Sequence, residues 1–159
     1  SHPEYEWIFR PHPVFKDRVL RYKIKTLSEI EAYFAEWEQL GTVYSGGDYY
    51  EMFAGSDYLI TDCISFLSEY LPTGKPVIHL RKDKYIEEFN DLLNVITDSY
   101  YKVYNNDMLL SVFNDVIVNN NDYLRNERIK NISLLNIIQN KTTGEKITEY
   151  LEKELWQRG

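Results

Sequence analysis

Residues Ser56 to Leu80 read SDYLITDCISFLSEYLPTGKPVIHL. Two compact apolar runs, Tyr58-Leu59-Ile60-Thr61 and Val77-Ile78-His79-Leu80, frame this stretch. Short apolar runs of that kind belong to strands buried on both faces of a parallel sheet. Between them Ile64, Phe66, Leu67, Tyr70 and Leu71 recur at helical spacing, Asp62 is a suitable N-cap, and Pro72 and Gly74 stop the helix. Strand, crossover helix and strand within about 25 residues predict a βαβ unit, whose crossover is right-handed in nearly all known cases.

Upstream, Tyr5 to Phe9 (YEWIF) is aromatic and β-branched, which predicts a strand. It ends at Arg10-Pro11-His12-Pro13, where two prolines forbid ladder pairing and a loop follows. Leu27, Ile30, Tyr33, Phe34, Trp37 and Leu40 mark an amphipathic helix capped by Thr26 or Ser28 and stopped by Gly41. Thr42-Val43-Tyr44 reads as a second strand, Ser45-Gly46-Gly47-Asp48 as a turn, and Tyr49 to Ala54 as a short helix.

Downstream of Leu80 the chain turns mostly helical. Ile86, Phe89, Leu92, Leu93 and Ile96 share one helical face, and Met108, Leu109, Val112, Phe113, Val116 and Ile117 share another. Tyr101 to Tyr104 lies between them as a short strand, and Asn119 to Asp122 is a polar break. A further helix falls within Tyr123 to Ile138. A last one runs from Thr143 to Trp156, with a capping box from Thr142 and Glu145 and with Ile147, Tyr150, Leu151 and Leu155 on its buried side. The fold class is therefore α/β, a predominantly parallel Rossmann-like sheet flanked by helices, and residues 1–159 form a single domain.

Composition agrees. The 159 residues suffice for one sizeable core, and 43% hydrophobic against 27% charged residues is a globular balance. No apolar stretch is long enough to cross a bilayer, and the N-terminus lacks the pattern of a secretion signal. Cys63 is the only cysteine, so an internal disulfide is excluded and a reducing, cytoplasmic location is permitted. Residues 1–25 hold Arg10, Lys16, Arg18, Arg21, Lys23 and Lys25 against three acidic residues, although the net charge is −7. That total disfavours broad nucleic-acid binding, while the basic N-terminal stretch suits an anionic ligand or a solvated face.

Ligands of open α/β sheets bind outside the carboxyl ends of the strands. Arg10 and His12 follow the first strand, Ser45 to Asp48 the second, and Thr61, Asp62 and Ser65 the third. The third place opens a helix, whose free N–H groups suit a phosphate. Hydroxyls of Thr61 and Ser65 add donors, Arg10 a forked cation, and His12 a proton donor or a phosphate contact. Each has a plainer reading: Asp62 as a cap, His12 as a loop residue, Gly46-Gly47 as a turn, His79 as a structural strand residue. The spacing predicts that His12, Thr61 and Ser65 gather at one sheet edge, and by itself reaches an α/β domain suited to a phosphorylated ligand.

At these residues the chain resembles the C-terminal half of the CDP-glycerol glycerophosphotransferase family, the teichoic-acid polymerases and primases of bacterial envelopes. The resemblance is carried by Arg10 to Pro13, Asp48-Tyr49, Ser56 to Ser65, Ser68-Glu69, Lys75 to Ile78 and Thr143 to Ile147, in that order. It implies the donor-binding, Rossmann-like half of a GT-B glycosyltransferase fold. The chain would then be a fragment of a longer two-domain enzyme that moves glycerol phosphate from CDP-glycerol to a hydroxyl of a cell-envelope or capsular polymer. The acceptor would be met through a domain upstream of Ser1, and the parent protein would sit at the inner face of the cytoplasmic membrane. No cofactor is expected. By the resemblance His12 is catalytic, Arg10, Thr61, Asp62 and Ser65 hold the donor phosphates, and Asp48 and Glu69 touch the nucleotide or glycerol. Cys63-Ile64 stands where the family has Tyr-Ser, so one phosphate-binding hydroxyl is replaced, and Glu69 stands where aspartate is usual. A GT-B transferase using another sugar nucleotide and a noncatalytic α/β interaction module are the alternatives.

Overall fold

The structure is a computed structural model that describes residues 2–44, 46–82, 90–134 and 141–156. The chain divides into two compact units, Ser1–Tyr49 and Tyr50–Gly159. It is α/β, with small parallel sheets flanked by helices.

In the first unit, β1 (Ile8–Phe9) leads through α1 (Phe15–Arg21) and α2 (Leu27–Leu40) to β2 (Thr42–Val43). β1 and β2 pair in parallel, with Ile8 opposite Thr42 and Phe9 opposite Val43. The helix α2 starts where its sequence demands: Thr26 accepts from the Glu29 N–H, and the Glu29 carboxylate accepts from the Thr26 N–H at 2.7 Å. Its apolar face covers the strand pair, the Trp37 ring stacking on Phe9 at 4.3 Å with Tyr33 and Phe34 beside it. Ile30 and Val19 complete this small core. Gly41 joins α2 to β2 in extended conformation, and a Cβ there would run into the Trp7 carbonyl and lie 2.8 Å from the Trp7 Cβ.

In the second unit, α3 (Tyr50–Gly55) precedes β3 (Leu59–Thr61), α4 (Ile64–Tyr70) and β4 (Val77–Leu80). Then come α5 (Asp91–Asp98), β5 (Tyr101–Val103), α6 (Asn106–Val112), α7 (Arg125–Leu134) and α8 (Thr143–Trp156). The three strands form one parallel sheet in the order β3-β4-β5. A single 3₁₀ turn, Leu71–Thr73, ends α4, and Gly74 follows at φ 69°, the left-handed position that glycine fills without strain. Lys75 then donates its ammonium to the carbonyls of Ala54 and Ser56, tying the entry to β4 to the entry to β3.

One face of this sheet carries α4 and α5: the Tyr100 hydroxyl reaches across to the Leu67 carbonyl at 2.7 Å. On the other, Phe113 packs edge-on against Tyr58, in a π-helical segment, Phe113–Val118, that continues α6. Leu67, Tyr70, Leu71, Val77 and Ile78 are wholly buried. At roughly 1.5–3 kcal/mol for each large apolar side chain taken from water, this cluster is the main source of the unit's stability.

Several expectations need correction. The strands make two sheets rather than one, with the pairs β1-β2 and β3-β4 in separate sheets. The loop expected after Pro13 contains α1, which is too short for its Phe15 and Val19 to show a clear period in the sequence. Asp62 is not the cap of α4: the N-cap is Cys63, which makes no side-chain cap bond. The apolar stripe of α8 is not buried, since Ile147, Tyr150, Leu151 and Leu155 are all more than half exposed. Ser45, Ile86 and Phe89 lie outside the described residues. The capping box of α8 is present as expected, Thr142 accepting from the Glu145 N–H at 3.3 Å and donating its own N–H to Glu145 at 2.7 Å. Among the described residues no helix is long and apolar enough to cross a membrane.

Candidate functional site

In the first unit the sequence-predicted residues follow the strands' carboxyl ends. Arg10 is the first residue beyond β1. Its guanidinium lies over the Tyr49 ring at 4.6 Å and beside the Tyr44 ring at 5.9 Å, and Nη2 donates to the Gly47 carbonyl at 3.4 Å. The loop after β2 thus wraps the cation, and Tyr44 holds that loop by donating its hydroxyl to the Asp48 carbonyl at 3.2 Å. Gly47 is required here, at φ 81° with the Tyr44 hydroxyl 2.7 Å from where a Cβ would stand. His12 is exposed, and its Nδ1 accepts the Val14 N–H at 3.3 Å. In the neutral ring that bond leaves the proton on Nε2. Asp48 is exposed in the same loop.

In the second unit, Thr61 closes β3 and is buried. Its Oγ1 accepts the Cys63 N–H at 3.0 Å, which turns the chain from strand into helix and leaves the hydroxyl proton available. Asp62 is exposed beside it. Ser65 is exposed in the first turn of α4, its Oγ 3.3 Å from the Cys63 Sγ. Glu69 lies four residues further along α4 and so shares the Ser65 face, about 6 Å along the axis. Thr61, Asp62 and Ser65 lie along the turn from β3 into α4, while Arg10, His12 and Asp48 belong to the other unit.

No protein-family model, curated protein or solved structure matches this chain.

Two residues not chosen from the sequence, His79 and Lys102, join the second group. In the sheet register Thr61 stands opposite His79, and His79 opposite Lys102. In-register residues of parallel strands point to one face, so these side chains form a row with neighbouring strands about 4.8 Å apart. His79 is 3% exposed and its Nδ1 has no hydrogen-bond partner. Burial, followed by the nearby positive charges of Arg81 and Lys102, pushes its pKa down to about 4, against the smaller opposing pull of Asp62. Lys102 pairs with Asp98 at 2.6 Å. Sequence alone marks His79 as a strand residue; only the register shows that a hydroxyl and an ammonium flank it. Among the described residues no three His, Cys, Asp or Glu side chains are grouped to hold a metal ion.

Proposed function

We propose that the chain is the donor-binding domain of a transferase that moves glycerol phosphate from CDP-glycerol to a hydroxyl of a cell-envelope or capsular polymer. The observation that carries this reading is the βαβ unit with Thr61 and Ser65 at the carboxyl end of β3, joined with the motif order that resembles the glycerophosphotransferases. In a parallel α/β sheet that is the edge at which a nucleotide ligand is received.

In the reaction the acceptor oxygen attacks the glycerol-bearing phosphorus, the bond from that phosphorus to the bridging oxygen breaks, and CMP leaves. The hydroxyl proton departs to a base. The chain's own residues stabilise the charge that gathers on the leaving group. In the second unit Thr61 and Ser65 offer hydroxyl donors to the phosphates, and Glu69 accepts hydrogen bonds from the nucleoside or glycerol hydroxyls. Ile64 offers no hydroxyl, so donor binding is weaker by one charge-assisted hydrogen bond, about 1.5–3 kcal/mol, or roughly ten- to a hundredfold.

Titration of the chain with CDP-glycerol, CMP and UDP- and GDP-sugars, followed by NMR or calorimetry, tests this. The expected result is millimolar binding that prefers cytidine, tightens in Ile64→Ser and weakens in Ser65→Ala. A preference for another nucleotide assigns the domain to a GT-B transferase with a different donor. No response in a folded sample assigns it to a noncatalytic module.

A further inference from the structure

The row formed by Thr61, His79 and Lys102 has a use that the donor reading does not give it. Thr61 keeps a hydroxyl proton to donate, because its oxygen already accepts from Cys63. Lys102 has three N–H donors, of which Asp98 takes one. His79, between them, is buried with an unbonded Nδ1. Buried ring nitrogens are normally hydrogen-bonded, so an unbonded one in a row with two side chains that keep donors marks a place where a further partner is expected. The row lies at the carboxyl end of the sheet, since Thr61 is the last residue of β3 and His79 the last but one of β4.

The charges around His79 decide the sign of that partner. Arg81 follows on its own strand and Lys102 stands on β5, while Asp62 follows β3 and Asp98 ends α5 against Lys102. The titratable groups at α4 are Cys63, Glu69 and Tyr70. Burial, and after it the two cations, outweigh Asp62 at the imidazole and keep it neutral. A multiply charged oxyanion would reverse that balance: it would draw in a proton and turn both ring nitrogens into donors.

We propose that Thr61, His79 and Lys102 form an oxyanion subsite in which His79 takes up a proton as a phosphate-type group binds. That the group is the donor's diphosphate rests on the function proposed above; the proton uptake does not. Binding and protonation are then linked, so the anion binds more tightly at low pH. If the bound anion lifts the His79 pKa by two units from its value near 4, affinity at pH 5 is about tenfold higher than at pH 8.

Sulfate is the suitable probe, because its charge does not change over that range. The His79 ring signals of the full chain, distinguished from those of His2 and His12 by the His79→Gln variant, are followed through pH titrations with and without sulfate. The expected result is a His79 pKa raised by at least one unit in tens of millimolar sulfate, with sulfate binding about tenfold tighter at pH 5 than at pH 8. His79→Gln loses that pH dependence. Lys102→Gln, at a half-buried position that tolerates the change, weakens sulfate binding at both pH values and raises the His79 pKa in its absence. A His79 pKa that sulfate does not move overturns the proposal, as does a pH dependence unchanged in His79→Gln; if that variant does not fold, the wild-type and Lys102→Gln titrations decide. Proton-linked sulfate binding without binding of CDP-glycerol removes the donor and keeps the subsite, whereas CDP-glycerol bound with an unmoved His79 removes the subsite and keeps the donor.

Discussion

Asp122→Asn should destabilise the second unit by about 3–5 kcal/mol, the cost of leaving a buried charge without its partner. Arg128 projects from α7 with its side chain wholly buried, donates Nε to the Gly74 carbonyl at 2.8 Å and Nη2 to Asp122, and leaves Nη1 unbonded. Asp122 is 19% exposed and also accepts the Tyr101 hydroxyl at 2.7 Å, while Tyr101 in turn accepts the Leu124 N–H at 3.0 Å. One carboxylate therefore neutralises the cation and fixes the tyrosine that starts β5. Asparagine keeps one acceptor but not the charge, so the guanidinium stays in the interior with only carbonyl oxygens to offset it. Arg128→Met removes the charge and fills most of its volume; it leaves only the Gly74 carbonyl and a partly solvated Asp122 to find water, and should cost less, about 1–3 kcal/mol. With a urea m-value of about 2 kcal/mol per molar, Asp122→Asn lowers the midpoint by about 2 M and Arg128→Met by half of that. Urea unfolding followed by far-ultraviolet circular dichroism measures both. A loss under 1 kcal/mol in Asp122→Asn, or an Arg128→Met variant less stable than Asp122→Asn, would refute the view that an uncompensated charge is what makes the pair necessary.

Two further outcomes follow from the packing. The folded pKa of His79 is depressed to about 4 from 6.5, so the unfolded chain binds a proton that the folded chain refuses; its contribution is intact above pH 6.5 and is lost as pH falls from 6.5 to 4, by about 3 kcal/mol in total, and urea midpoints across that window should fall less steeply in His79→Gln. Gly41→Ala brings a methyl group against the Trp7 carbonyl at the joint of α2 and β2 and should destabilise the first unit by about 1–3 kcal/mol, read from the fluorescence of Trp7 and Trp37 during unfolding, whereas wild-type stability in this variant would mean that the backbones do not approach so closely.

The parts of the fold legible in the sequence are those where local chemistry and burial agree. The helix α2 has a capping box, an apolar face and a glycine stop, and its bounds are the expected Leu27–Leu40. The βαβ unit is legible because its two strands are short apolar runs with a helix period between them. Partition of the strands into two sheets is not legible, because Ile8-Phe9 and Thr42-Val43 carry the same residue types whether they pair with each other or with β3. The exposed stripe of α8 fails for a related reason: periodicity shows that a helix has an apolar face, but not what covers it.

The candidate site divides along the same line. Thr61 and Ser65 are legible as candidates because both fall within the short turn from β3 into α4. His79 and Lys102 are 23 positions apart and meet only through the β4-β5 register, which no local pattern encodes. An apolar run such as VIHL makes its histidine look like a strand residue that happens to be polar. Placed between a hydroxyl and an ammonium, the same side chain acquires a depressed pKa from burial and from the two cations near it, so the property that distinguishes it belongs to the sheet and not to the strand. A slip of one residue between β4 and β5 would carry Lys102 to the other face and replace it with an apolar neighbour, Tyr101 or Val103. The chemistry at the carboxyl edge is therefore conditional on register, and register in this sheet is set by the burial of Val77, Ile78, Tyr101 and Val103.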